Sequence, residues 1–149
     1  MAAPDIRLVE LTPQTVAALA RGADGLFDNP VRPDSLEAFL DDPNHLLWFA
    51  VAAGLPVGFA SASILLHPDT APQLFINEVE VLESFRRKGI GRALVARLIE
   101  AAGARGCDYA WLGTATDNAS GNACFASVPG AQNAGPFVLY EWDLSQPDR

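Results

Sequence analysis

Apolar residues along the chain recur at strand spacing in some segments and at helix spacing in others. The predicted strands lie at 6–11, 46–53, 57–66, 74–82, 107–113 and 137–144. The predicted helices lie at 12–22, 34–42, 89–102 and 118–127. No internal repeat or linker interrupts this order. The pattern therefore predicts one α/β (α+β) domain over residues 1–149, in which helices flank a central mixed sheet.

Short polar motifs mark several boundaries of these elements. Thr12 before Pro13 is typical of a helix cap followed by a first turn. Asp34 with Glu37 three residues later resembles a capping box, which predicts a helix start at Asp34. The segment at 53–56, Ala-Gly-Leu-Pro, has the glycine of a hairpin turn and predicts that the second and third strands pair directly.

The segment at 75–98 joins a strand-like run to an amphipathic helix through the turn Arg-Arg-Lys-Gly-Ile-Gly at 86–91. Its glycines let the backbone approach a ligand closely, and the helix start offers unpaired N–H groups and a positive dipole end. Four of the chain's ten basic residues lie within positions 86–92, although the net charge is -8. The turn predicts a phosphate site that is neither a P-loop nor a dinucleotide fingerprint. The alternative is a solvated basic turn that caps a helix.

Composition narrows the class of protein. The apolar runs are too short to span a membrane, and no secretory signal pattern appears, so we expect a cytoplasmic protein. Cys107, Cys124, His45 and His67 lack metal-ligand spacing, which predicts no metal site. Cys124 is expected to be a core or half-buried cysteine rather than a nucleophile. A sequence pI near 4.5 argues against nucleic-acid binding and suits a cationic substrate. Acidic charge also serves solubility alone.

With this strand order and this turn, the chain resembles the GNAT superfamily of acyl-CoA-dependent N-acetyltransferases over nearly its whole length. The resemblance implies a mostly antiparallel sheet and acetyl-CoA as cofactor. In that family the turn at 86–91 wraps the pyrophosphate of coenzyme A, and the strand ending at Val81 pairs with the pantetheine arm. The cofactor-binding residues that the resemblance implies are Val79, Val81, Arg86, Arg87, Lys88, Gly89, Ile90, Gly91, Arg92, Asn118 and Phe125.

Three segments, at 67–69, 77–81 and 138–144, look like the aminoglycoside 3-N-acetyltransferase type I group and its bacterial relatives. This closer resemblance implies a small cationic amine as acceptor, such as an aminoglycoside, with a peptide amine or a polyamine as alternatives. The family's pairing through C-terminal strands allows a homodimer. No membrane or nucleic-acid partner is implied.

One position departs from the family pattern. Phe125 stands where the family often has a tyrosine that protonates the departing thiolate, and a phenyl ring cannot donate a proton. Either water or another group then protonates the thiolate, or the thiolate leaves unprotonated, or turnover is impaired. The last alternative makes a catalytically weak acyl-CoA-binding sensor a third hypothesis.

An amine that attacks a thioester must first lose a proton, because only the neutral form is a nucleophile. Glu78 and Glu80 lie two residues apart on a predicted strand, so their side chains share a face, and adjacent like charges raise a pKa toward the range of a general base. The resemblance favours Glu78 as base, with Glu80 second, and a water-exposed polar face is the alternative. A backbone N–H near Val81 or Leu82 is predicted to stabilise the oxyanion. The loop at 21–34 is expected to close over the acceptor.

Overall fold

A five-stranded sheet forms the centre of the computed structural model, which describes residues 5–23 and 25–145. The strands are β1 (Ile6–Glu10), β2 (His45–Ala52), β3 (Leu55–His67), β4 (Thr70–Val81) and β5 (Tyr109–Trp111). The helices are α1 (Val16–Gly22), α2 (Pro33–Asp41), α3 (Ile90–Ala104) and α4 (Ala119–Ala126), with a short 3-10 turn at Glu83–Phe85. No described helix has the length and apolar character needed to cross a bilayer.

Strands pair in chain order across the sheet, and this confirms the predicted mixed, mostly antiparallel arrangement. The β1–β2, β2–β3 and β3–β4 pairs are antiparallel, and only the β4–β5 pair is parallel. The predicted hairpin at 53–56 is also confirmed, with Gly54 at a φ of 78° in the left-handed region that glycine adopts without strain.

Helices cover both faces of the sheet, which explains why β2 and β3 are almost continuously apolar. Alternate residues of a strand point to opposite faces. Leu46 and Ala50 of β2 therefore pack in the core beneath α3, together with the fully buried Leu94 and Leu98. The neighbouring Phe49 packs in a second core with residues of α1 and α2.

A β-bulge interrupts β4 at Asn77. Ser61 of β3 is opposite Glu78, whereas the next residue, Ala62, is opposite Ile76, so Asn77 is an extra residue in β4. A bulge bends its strand and changes the direction of the following side chains. Pairing between β4 and β5 covers only 73–75. Within the described ranges, residues 77–81 thus have β3 on one side and no strand on the other, which leaves a slot beside β4.

The helix starts differ from the predicted ones. The N-cap of α2 is Arg32, not Asp34, and no side chain caps the helix. Pro33 takes the first helical position, for which its fixed φ is suited, so the predicted capping box at Asp34 is wrong. Asp34 instead receives a hydrogen bond from Arg32 Nη2 at 3.3 Å. α1 begins at Val16 rather than residue 12, after a turn in which Thr15 Oγ1 accepts the Thr12 N–H at 2.8 Å.

The predicted last strand at 137–144 is wrong for the single chain. The structure shows no strand there, and every residue from 129 to 145 is exposed. β5 is also shorter than the predicted 107–113. A strand needs a neighbour to satisfy its backbone N–H and C=O groups, and a favourable sequence pattern does not supply one.

Candidate active site

The turn between β4 and α3 leaves a row of backbone N–H groups unpaired. Gly89 is the N-cap of α3, at a φ of 78°, and its C=O accepts the Ala93 N–H at 3.0 Å. Among the described residues, none accepts a hydrogen bond from the backbone N–H groups of 87–92. These groups lie at the positive end of a 15-residue helix. Since residues 86–89 are exposed, the turn has room for an anion.

Three of the four basic side chains at this turn have no acidic partner. In the described part of the chain, no carboxylate lies within 4.0 Å of Arg87, Lys88 or Arg92. Arg86 differs, because its Nη2 lies 3.1 Å from Glu80 Oε1 and its Nε donates to the Val81 C=O at 3.0 Å. Arg86 thus ties the turn back to β4, a positioning contact that the sequence did not reveal.

Gly91 has a packing role beside its predicted role in the cofactor site, which stays a prediction. A Cβ atom at this position would come within 2.9 Å of Cys124 Sγ, which lies on α4. The absence of a side chain therefore lets α4 pack directly on the first turn of α3. Cys124 is half-buried, and this burial raises the pKa of its thiol, which keeps it protonated and agrees with its interpretation as a core or half-buried cysteine.

This close contact leads to a stability prediction. Gly91→Ala is expected to lower the free energy of unfolding by about 1–3 kcal/mol, because its methyl group overlaps the Cys124 sulfur. In a Cys124→Ala background the same change should cost at least about 1 kcal/mol less, since the sulfur that the new methyl group would overlap is gone. Urea unfolding of the four proteins measures the coupling. An equal cost in both backgrounds would contradict the contact.

Backbone groups of Val79 and Val81 point into the slot beside β4. Leu82 N–H donates to the Val57 C=O of β3 at 2.8 Å. In an antiparallel ladder such bonds occur at alternate residues, so the N–H and C=O groups of Val79 and Val81 face away from β3. The Val81 C=O already accepts a hydrogen bond from Arg86 Nε. The Leu82 N–H already donates to β3 and is not available to a ligand. Of the two backbone donors predicted to stabilise the oxyanion, the Val81 N–H is the one that stays available.

Glu78 and Glu80 lie on one face of β4, as predicted. They are opposite Ser61 and Phe59 of β3, on the side of the sheet that α1 and α2 cover. A depression of about 340 Å³ opens on this side, large enough for a small ligand. Its lining comes from residues 27–32, from α2, from Leu11, Leu47 and Phe49, and from Glu78. The loop at 21–34, expected to close over the acceptor, thus lines this depression with residues of its second half. Residue 24 of this loop lies outside the residues that the structure describes.

Burial raises the pKa of Glu78 above its usual range, and the negative charges of Asp28 and, to a smaller degree, Glu80 raise it further. The sequence interpretation attributed this effect to Glu80 alone. Asp28, which the sequence presents only as one acid in a polar loop, joins the site because the loop folds over the depression. Glu80 instead pairs with Arg86, so the two glutamates have different environments.

The raised pKa predicts how Glu78 changes stability with pH. Between its unfolded and folded pKa values the native protein binds more protons, so the contribution of Glu78 to the free energy of unfolding falls as pH rises through this window. Glutamine does not titrate. The stability of Glu78→Gln relative to the parent should therefore rise from about pH 4 upward and then level off. Urea titrations along this pH series measure it, and a pH-independent difference would contradict the shift.

The second predicted cofactor element is built from α4. Asn118 is its N-cap, since Oδ1 accepts the Gly121 N–H at 3.1 Å and Nδ2 donates to Thr114 Oγ1 at 2.9 Å. Asn118 thus has a structural role as a helix cap, and its contact with pantetheine stays a prediction. Phe125 packs half-buried against the core beneath α3. In the part of the chain that the structure describes, no cluster of three or more His, Cys, Asp or Glu side chains is arranged to hold a metal ion.

Comparisons with known proteins show the family and the fold of this chain. The family model described as acetyltransferase (GNAT) family matches residues 16–128. Aminoglycoside N(6′)-acetyltransferase type 1 of Salmonella typhimurium strain LT2 is 33% identical over 89 residues, which cover 52% of this chain and 60% of that protein. The match thus spans less than two thirds of this curated relative. The expected 3-N type I group is not confirmed, because the relative is of the 6′-N type.

Solved structures share the fold. AAC(6′)-Iy, in a complex with the bisubstrate analogue CoA-S-monomethyl-acetylneamine, has a TM-score of 0.75 at 20% identity, covering 93% of this chain and 99% of that one. A putative acetyltransferase from Agrobacterium tumefaciens strain C58 has a TM-score of 0.72 at 26% identity, covering 91% and 99%. Because the family model matches most of the chain, from the first helix to the end of α4, this protein belongs to the acetyltransferase (GNAT) family.

Proposed function

We propose that this chain is an N-acetyltransferase that moves the acetyl group of acetyl-CoA directly to a primary amine of a small cationic molecule, with aminoglycosides as the first candidate class. One observation carries the proposal: the slot beside β4 runs from the free N–H groups of 87–92 to the face that holds Glu78. The 6′-N-acetyltransferase relative makes a 6′-amine the preferred position.

The residues present fit coenzyme A. Free N–H groups at the start of α3, with Arg87, Lys88 and Arg92, for which the described residues offer no acidic partner, provide donors and positive charge for a pyrophosphate. The outward N–H and C=O groups of Val79 can pair with an amide-containing arm as a strand would. Bound acetyl-CoA supplies an activated acetyl thioester. The reaction requires this cytoplasmic metabolite, so the proposal places the protein in the cytoplasm.

The chain's own groups then have distinct roles. Glu78, with its raised pKa, accepts the proton of the attacking ammonium group. The Val81 N–H points into the slot and stabilises the negative charge that develops on the acyl oxygen. Asp28 and Glu78 attract a cationic acceptor, while Phe27 and Phe49 provide apolar walls.

Phe125 supports a second candidate function. It occupies the place of a family proton donor but has no hydroxyl group, so a protein that binds acyl-CoA with little turnover would have the same cofactor residues. A peptide amine or a polyamine as acceptor would also use the acidic depression.

Two measurements separate these functions. Calorimetry tests coenzyme A binding, and thiol release from acetyl-CoA tests turnover with aminoglycosides that have or lack a 6′-amine, with polyamines and with peptide amines. The proposal expects binding, and turnover that requires the 6′-amine, with the acetylated nitrogen identified by NMR. Binding without turnover on any amine would favour the sensor, and no binding would refute both functions.

A further inference from the structure

Two aromatic side chains of the sheet belong to neither hydrophobic core. Phe75 of β4 and Trp111 of β5 are register partners, and their ring centroids lie 4.5 Å apart. Among the described residues, neither ring packs with the buried clusters on the two faces of the sheet. Trp111 is 40% exposed, and the exposed Tyr109 and Leu65 continue the apolar surface in the next cross-strand row. Contiguous exposed apolar patches mark interaction sites.

The aromatic pair lies on the same face of the sheet as Glu78. Leu74 and Ile76 are buried beneath α3, so Phe75 between them points to the opposite face. In an uninterrupted strand Glu78 would point with Ile76 toward α3. The bulge at Asn77 reverses this alternation and brings Glu78 to the face of Phe75. One irregularity in β4 thus places a carboxylate and an aromatic pair on one surface.

The strand register sets the separation between Glu78 and the aromatic pair. Glu78 is opposite Ser61 of β3, and Phe75 is opposite Ser63. Two residues of a strand span about 7 Å. Trp111 lies one strand farther from β3. This separation is comparable with that of neighbouring rings in a molecule of linked sugars. An acceptor with its amine at Glu78 can therefore lay its next ring on Phe75 and Trp111.

The aromatic pair is continuous with the depression that Glu78 lines. His45 of β2 is opposite Ser63, so His45, Ser63, Phe75 and Trp111 form one cross-strand row, here called the outer row. The ring of Phe39, which also lines the depression, has its centroid 5.5 Å from that of the His45 ring. The surface thus extends from the depression to the outer row without an intervening element.

The outer row combines an aromatic surface with hydrogen-bonding groups. Ser63 Oγ lies 3.3 Å from His45 Nδ1, and both side chains are at least partly exposed. A sugar ring has a face of C–H groups, with hydroxyl or ammonium groups along its edge. The face can stack on aromatic rings, and the edge requires hydrogen-bonding partners. An open-chain polyamine has no such face. The outer row therefore fits a ring of the acceptor.

We propose that the outer row is a second acceptor subsite, which binds one ring of an aminosugar acceptor while a neighbouring ring presents the amine to Glu78. This inference rests on the proposed function, because it takes Glu78 as the position of the reacting amine. Trp111 provides the exposed part of the stacking surface, and Phe75 supports its ring. The subsite selects acceptors with at least two linked rings over open-chain polyamines of similar charge.

Calorimetry tests the subsite without requiring turnover. The probes are neamine, an aminoglycoside with two rings, and spermidine, an open-chain polyamine. The parent should bind neamine at least about 10-fold more tightly than spermidine, and Trp111→Ala should abolish this preference by weakening neamine binding alone. Trp111→Phe keeps a ring and should stay within about 3-fold of the parent. Ile99→Ala, at an equally exposed apolar residue of α3, is the matched control and should change neither affinity.

A second variant does not depend on how Trp111→Ala folds. Ser63→Lys places a positive charge in the outer row and should weaken neamine binding by at least about 10-fold, because the amino groups of the bound ring are cationic. Spermidine binding should weaken less, since spermidine does not need the outer row. Unchanged neamine binding in Ser63→Lys would overturn the subsite.

Steady-state kinetics separates this subsite from the proposed function. With neamine, Trp111→Ala should raise KM by at least about 10-fold and leave kcat within about 3-fold, because stacking acts equally on the bound substrate and the transition state. A parent that binds neamine through Trp111 but acetylates no amine would refute the transferase and keep the subsite. A parent that acetylates only open-chain amines, binds no neamine, or binds neamine equally well without Trp111 would refute the subsite.

Discussion

Replacing Glu78 by glutamine is expected to lower kcat/KM for acetyl transfer by about 1,000-fold, the range for loss of a general base. The amide cannot accept the proton of the ammonium group, yet it keeps the size and most of the contacts of the carboxylate. Coenzyme A affinity should stay within about 2-fold, because the free N–H groups of 87–92 lie on a different element. Thiol release with the best acceptor, beside calorimetry, separates the two effects.

The pH dependence of kcat/KM tests whether Glu78 itself is the base. A base must be deprotonated, so kcat/KM of the parent enzyme should fall as pH falls through the raised pKa of Glu78. Asp28→Asn removes one cause of that raised pKa, and this acidic limb should then move to lower pH. Glu80→Gln should cost less than about 10-fold, because Glu80 is already paired with Arg86. A greater loss for Glu80→Gln than for Glu78→Gln would reverse the assignment of the base.

Elements that bury an apolar face within their own chain could be predicted from the sequence. β2, β3 and α3 have the matching periodicity and form as predicted, because their core lies within the domain. The segment at 137–144 has an equally clear strand pattern and forms no strand. Periodicity shows that a segment has a face to bury, but it does not show where the burying partner is. Such a segment can be predicted only together with its neighbour.

The parts of the candidate site that residues close together in the sequence form could be predicted. The exposed basic turn at the start of α3 and the shared face of Glu78 and Glu80 follow from spacing along the chain. Contacts between distant segments were not predictable. The approach of Asp28 to Glu78, and the contact of Gly91 with Cys124, depend on how the loop and α4 dock on the sheet. No local pattern encodes that docking.

Reversing the charge of Lys88 is expected to weaken coenzyme A binding by about 100-fold. Lys88→Glu removes the proposed charge-assisted contact to the pyrophosphate and places a negative charge at the proposed site. Each tenfold loss of affinity corresponds to about 1.4 kcal/mol. Lys88 is exposed and has no acidic partner in the described residues, so the free energy of unfolding should change little. Calorimetry at low and high salt measures the effect, which should shrink as salt screens the charge.

Arg7→Glu is the matched control, because it makes the same change in net charge at an exposed residue of β1. In the sheet β1 lies at the edge opposite to β5, whereas the turn at 86–91 follows β4. General repulsion between an acidic protein and an anionic cofactor would therefore weaken binding equally in both variants. If the turn itself holds the pyrophosphate, Arg7→Glu should change the affinity by less than about 3-fold, as expected for a distant, screened charge. Equal losses in the two variants would mean that the anion binds elsewhere and would remove the structural basis of the proposed cofactor site.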